Sequence, residues 1–162
     1  METTRNIIKK TDSYKISHWK QYPEGTKTVF SFFESRGGES AEVTFFGLQY
    51  IIKKHLVGVQ VTERAIEDAK RYFARHFGDE TLFNEAGWHH ILRKHGGKLP
   101  LRIKAVPEGT SVSVGNVMVT VENTDPLVPW LTNYVETILS EVWYPSSVAT
   151  LSRSMKKVLG SP

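Results

Sequence analysis

Seven apolar residues, Trp130, Leu131, Tyr134, Val135, Ile138, Leu139 and Val142, recur at three- and four-residue spacing. That period puts them on one face of a helix, and a face so apolar is stable only against other elements. The chain therefore needs a packed core around its C-terminal third. With 162 residues, 40% of them hydrophobic, it is long enough to build one. Pro145 is expected to break this helix, with Ser146 capping a last one through Val148, Leu151 and Met155 to Leu159.

The rest of the chain reads as helices first and strands later. Tyr14, His18, Trp19 and Tyr22 sit at helical spacing after Asp12, a candidate N-cap, and predict a short aromatic helix. Lys27 to Glu34 alternates and is rich in β-formers, so a strand is expected before Gly37-Gly38. Val43 to Val57 reads as a helix closed by Gly58. Thr62 precedes a further helix with Ile66, Ala69, Phe73 and Phe77 as its apolar stripe and Gly78 at its end. Another helix is expected from Asn84 to His95, stopped by Gly96-Gly97. Leu101–Val106, Ser111–Val114 and Val117–Glu122 are Val-containing runs separated by Pro-Glu-Gly and Gly-Asn turns, which predict a β-rich segment over about 99–123. The expected fold class is α+β, with helices packed around a small antiparallel β-unit and no internal repeat.

Composition removes several functions. A net charge of +4 without a polycationic tail gives nucleic-acid binding no support. The absence of cysteine excludes disulfides, thiolate zinc sites and cysteine nucleophiles, and suits a reducing compartment. The first residues lack the apolar run of a signal peptide, and no stretch approaches the roughly 20 apolar residues of a membrane span. The expectation is a cytoplasmic protein with no membrane partner. No HExxH, GxSxG, GxxxxGK[ST] or GxGxxG motif is present. The six histidines are read as surface or packing residues, because adjacent ones such as His89 and His90 diverge on a helix, and no metal site is expected.

One stretch carries more than packing. TDSYKxxHxxQYP, from Thr11 to Pro23, sets a carboxylate beside an aromatic ring at a helix start. Its bland reading is an N-cap plus amphipathic packing. In the same order follow Phe33-Glu34-Ser35-Arg36, Phe46 to Tyr50, Phe83 to Trp88, Ile103 to Gly109, Val121 to Pro126, and Trp143-Tyr144-Pro145 with Val148-Ala149-Thr150. Together these blocks resemble the nicotinamide phosphoribosyltransferase family across nearly the whole chain.

The resemblance implies an N-terminal domain of the nicotinate/nicotinamide phosphoribosyltransferase type, spanning 1–162 and lacking the family's β/α-barrel. It implies a reaction of NAD salvage in which nicotinamide and phosphoribosyl pyrophosphate become nicotinamide mononucleotide and pyrophosphate. Mg2+ would accompany the pyrophosphate, bound mainly outside this chain. Tyr14 matches the residue that stacks on nicotinamide, serving the partner subunit's site in a homodimer. Asp12 matches an acid bordering the same pocket and is the catalytic candidate, and Arg36 matches an arginine on substrate phosphate. Lys15 and the pair Ser152-Arg153 are weaker candidates, the former as a solvated helix lysine. Two other readings stand beside this one: a noncatalytic binding or assembly module with the same fold, and a nicotinate phosphoribosyltransferase fragment.

Overall fold

The structure is a computed structural model that describes residues 6–160. Three strands form one antiparallel sheet, ordered β1-β5-β3: β1 (Phe30–Glu34), β5 (Val117–Asn123) and β3 (Leu101–Ala105). A second, two-stranded sheet pairs β2 (Glu42–Thr44) with β4 (Ser111–Ser113). The predicted β-rich segment is thus present, but it is completed from elsewhere. Strand β5 pairs with β3 on one edge and with the distant β1 on the other, Phe32 facing Thr120. Helices α1 (Leu48–His55), α2 (Glu63–Phe77) and α3 (Glu85–His95) lie between the two halves of the sheets in sequence. The short α4 (Leu131–Tyr134) and α5 (Glu136–Ser140) and the long α6 (Trp143–Leu159) follow them.

All seven residues of the C-terminal stripe are buried, although the backbone that carries them is α4 and α5 rather than one helix. They pack with Ile66, Phe73, Trp88, Ile91, Val119 and Val121 in one core. At its centre Trp88 meets Trp130 and Tyr134 edge-on, with ring centroids 4.9 and 5.0 Å away, an arrangement that aligns ring edges with π-faces.

Helices α2 and α3 end as their sequences dictate. Thr62 accepts the Ala65 N–H and Asn84 that of Gly87, while Gly78 and Gly96 close them in the left-handed conformation. The next residue, Gly97, also has positive φ, at +77°, and its carbonyl accepts the Gln60 and Val61 N–H groups. A Cβ there would run into the Val61 carbonyl oxygen. Gly97→Ala is therefore expected to destabilise the fold by about 1–3 kcal/mol or more. Urea unfolding of the two proteins checks this, and equal midpoints would show the contact to be relaxed.

Four expectations are corrected. The segment 13–20 is two 3₁₀ turns, Ser13–Ile16 and His18–Lys20, not one aromatic helix, and Asp12 makes no capping bond. Residues 43–46 are not helical: Val43 and Thr44 belong to β2, and α1 starts only after Gly47, whose φ is +99°. Pro145 does not break a helix but lies in the first turn of α6, where its missing N–H removes no intrahelical bond. Ser146 is no cap either. It is buried, and its hydroxyl accepts the Phe46 N–H and donates to the Phe46 carbonyl, both at 3.1 Å. One turn on, Thr150 Oγ1 accepts the Thr44 N–H at 2.9 Å. Among the described residues no helix is long and apolar enough to cross a membrane.

Candidate functional site

The turn at Ser13–Ile16 brings Asp12 and Tyr14 to the same side. The Tyr14 hydroxyl donates to Asp12 Oδ2 at 3.1 Å. The same oxygen takes a hydrogen bond from Thr137 Oγ1 in α5 at 2.8 Å, and Thr137 Oγ1 also accepts the Asp12 N–H. The Thr137 hydrogen bond is the main cause holding the Asp12 carboxyl below its ordinary range; burial opposes it, and Tyr14 and Lys15 reinforce it. In return Asp12 raises the Tyr14 phenol. The outcome is an ionised carboxylate gripping an aromatic ring by its hydroxyl. The ring itself is 59% exposed, tilted against His18 at 5.3 Å between centroids, and open to a flat ligand.

Lys15 is not the solvated lysine expected. It is only 4% exposed, and its Nζ lies 2.6 Å from Glu136 Oε2 and 3.6 Å from Asp12 Oδ2. A buried ammonium needs such partners, so Lys15 ties the Asp12–Tyr14 edge to α5.

Arg36 is exposed in the loop after β1 and lines a cavity of about 660 Å³. Its walls include Phe33, Met118, Asn133, Glu136 and Ser146. Asp12 and Tyr14 do not line this cavity. They meet it through α5, whose Glu136 faces the cavity and holds Lys15 while the adjacent Thr137 holds Asp12. Ser152 and Arg153 lie on the exposed end of α6, and Arg153 borders a separate shallow cavity with Lys157 and Thr150.

Sequence reasoning missed Thr137 and Glu136, which no local pattern links to residues 12–15. It also missed a cluster of potential metal ligands, His90, His95 and Asp125, whose ligand atoms lie within 4.8 Å of one another. Two of the histidines read as surface or packing groups, His90 and His95, converge on one carboxylate. This donor set does not suit Mg2+, which prefers oxygen ligands in an octahedron. No other grouping of three such ligands occurs among the described residues.

Removing Thr137 gives a direct test of the site's electrostatics. Thr137→Val is expected to let the Asp12 pKa rise toward the ordinary carboxylate value, followed by NMR titration of the carboxyl carbon. A depressed folded-state pKa adds stability above the unfolded value that is lost as pH falls through the folded one. In the variant the Asp12 contribution should therefore be smaller, its loss still beginning at the unchanged unfolded-state value as pH falls but finishing at higher pH, so the acid limb is shallower. An unchanged Asp12 titration would assign the shift to other groups.

This fold has a known counterpart. A crystal structure of human nicotinic acid phosphoribosyltransferase superposes with TM-score 0.64 at 21% identity, covering 94% of this chain and 29% of that one. The two share their fold, a set of helices packed on a small antiparallel sheet, over that part of the human enzyme. Residues 6–103 match the family model described as nicotinamide phosphoribosyltransferase, N-terminal domain. The nicotinamide phosphoribosyltransferase of Xanthomonas campestris pv. campestris (strain 8004) is 49% identical over 154 residues, which are 95% of this chain and 32% of that protein. The nicotinamide phosphoribosyltransferase of Acinetobacter baylyi is 36% identical over 95% of this chain and 33% of its own length. The chain belongs to the nicotinamide phosphoribosyltransferase family and spans about a third of the length of these relatives.

Proposed function

We propose that this chain is the N-terminal portion of an enzyme that makes nicotinamide mononucleotide and pyrophosphate from nicotinamide and phosphoribosyl pyrophosphate in NAD salvage. In this reaction the pyridine nitrogen bonds to the anomeric carbon while the carbon–oxygen bond to pyrophosphate breaks, the electron pair leaving with pyrophosphate. Tyr14 offers its ring face to the neutral base, a contact that needs no charge. Asp12 fixes that ring through the phenol and borders the base's amide. Arg36 presents a planar donor fork to phosphate oxygens. Positioning is the main contribution asked of these groups, because the reactants must align for in-line displacement with water excluded. Tyr14 serves the site of a second copy in a homodimer, and the cytoplasm is the compartment. Mg2+ would accompany the pyrophosphate, held mainly by residues outside this chain.

The observation that carries this reading is the half-exposed Tyr14 ring held by Asp12, which is itself held by Thr137. The test is complementation. The 162-residue chain alone is expected to form no nicotinamide mononucleotide. The same chain joined to the remaining two thirds of the Xanthomonas relative is expected to form it. Turnover by the chain alone that Tyr14→Ala abolishes would show the site to be complete here, and an inactive but folded chimera would favour the assembly-module reading.

A further inference from the structure

The histidine cluster lies outside the site just described. His90 and His95 come from the last turns of α3, and Asp125 from the loop after β5. His90 Nε2 is 2.8 Å and His95 Nε2 2.6 Å from the same oxygen, Asp125 Oδ2. The rings stand 6.0 Å apart at 69°, so both aim at one point without stacking. Asp125 is 2% exposed and fixed in place. Its Oδ1 accepts the Leu127 N–H at 3.0 Å, and its carbonyl accepts Asn123 Nδ2 at 2.8 Å. Burial alone would push its carboxyl up, but Leu127, His90, His95 and Lys94 together hold it well below the usual range. Both imidazoles remain partly open to solvent, which leaves an entry path and room for a further ligand.

We propose that His90, His95 and Asp125 form a binding site for a borderline divalent transition metal of the zinc class. Two imidazole nitrogens and one carboxylate oxygen are the donors such ions take, with a water in the fourth tetrahedral position, and hard Mg2+ is a poor match. Bond lengths of about 2.0–2.2 Å place tetrahedral ligands roughly 3.3 Å apart. The nitrogen–oxygen gaps must therefore widen by about half an ångström. Small χ rotations of the two solvent-facing histidines supply that movement while the anchored carboxylate stays in place. Lys94 Nζ, 3.4 Å from Asp125 Oδ2, occupies the position of positive charge that the ion would take over. Its side chain is more than half exposed and free to swing into water. The Asp125–Leu127 bond is the kind of outer support that orients a metal-ligating carboxylate.

The test uses the 162-residue chain in metal-free buffer, titrated with Co2+ and followed by its visible d–d absorption, with Zn2+ and Mg2+ as competitors. Binding of a single Co2+ per chain, with tetrahedral band intensity, displaced by Zn2+ and not by Mg2+, is expected. His90→Gln and His95→Gln should each weaken it by at least the roughly 10- to 100-fold that loss of a supporting group costs a metal site. His89→Gln should not, because His89 lies between Glu63 and Glu85 instead. In the unaltered chain, NMR should show the ring signals of His90 and His95 moving with Zn2+ before those of other histidines, a readout independent of how the variants fold. The proposal is overturned if neither ion binds at submillimolar concentration, if binding survives both substitutions, or if it follows His89; the cluster is then an ion pair and nothing more.

Discussion

Replacing Arg36 by Ala in the chimera that carries the rest of a family enzyme is expected to raise KM for phosphoribosyl pyrophosphate about 10- to 100-fold while leaving KM for nicotinamide nearly unchanged. A charge-assisted hydrogen bond to phosphate is worth roughly 1.5–3 kcal/mol, and each 1.4 kcal/mol is a factor of ten. Arg36 is suited to such a contact because it borders the 660 Å³ cavity from a loop and is exposed rather than packed. Arg36→Lys should recover only part of the loss, since a point charge cannot make the forked contact. Steady-state kinetics with each substrate varied in turn reads the outcome. A rise confined to the nicotinamide KM would withdraw the phosphate role from this residue.

Tyr14 should behave in the opposite sense. Stacking of a flat base on an aromatic ring is worth about 1–3 kcal/mol by truncation to alanine. Tyr14→Ala is therefore expected to raise KM for nicotinamide by one to two decades and to spare phosphoribosyl pyrophosphate. Tyr14→Phe keeps the ring face and loses only the bond to Asp12. Its effect should be several-fold at most, through looser positioning of the ring. If the phenylalanine variant were as impaired as the alanine one, the hydroxyl rather than the face would be the functional group. The two substitutions together also report on how the site is assembled: mixing Tyr14→Ala and Arg36→Ala chimeras should restore activity if the two residues serve different subunits' sites.

How much of this could be read from the residues varies with how local the cause is. The starts and stops of α2 and α3 were legible because Thr62, Asn84, Gly78 and Gly96 act on backbone groups within a few residues of themselves, although that Thr62 and Asn84 cap these helices is seen only in the structure. The buried stripe from Trp130 to Val142 was legible for the same reason: its period survives even where the helix is interrupted. Strand β2 was not, because its partner β4 lies some seventy positions away and its three residues are followed at once by a helical pattern. Pro145 misled because the rule that proline stops helices holds for interiors, and the start of α6 could not be located without the fold. At the site, Asp12, Tyr14 and Arg36 came from motif resemblance. Thr137 lies 125 positions from Asp12, and Asp125 lies 30 from His95. Convergence at such separations is a tertiary fact, and only the packed structure supplies it.

The hydroxyls of Ser146 and Thr150 have a consequence for how the molecule behaves in a crowded solution. Strand β2 is an edge, and an edge with unpaired amides is a template on which another chain can add a strand. Residues four apart on a helix rise about 6 Å, close to the roughly 6.6 Å between alternate residues of a strand. Helix α6 therefore presents its two hydroxyls in register with the Thr44 and Phe46 amides and occupies them as a neighbouring strand would. The helix acts as a plug for the sheet. Its outer face still exposes Trp143, Tyr144, Leu151 and Met155, so the isolated chain has a sticky surface. Yet contacts made there are between side chains, reversible and without the backbone ladder that turns association into fibre growth. Taking both hydroxyls away by Ser146→Ala and Thr150→Val would unplug that edge and leave it open to strand addition.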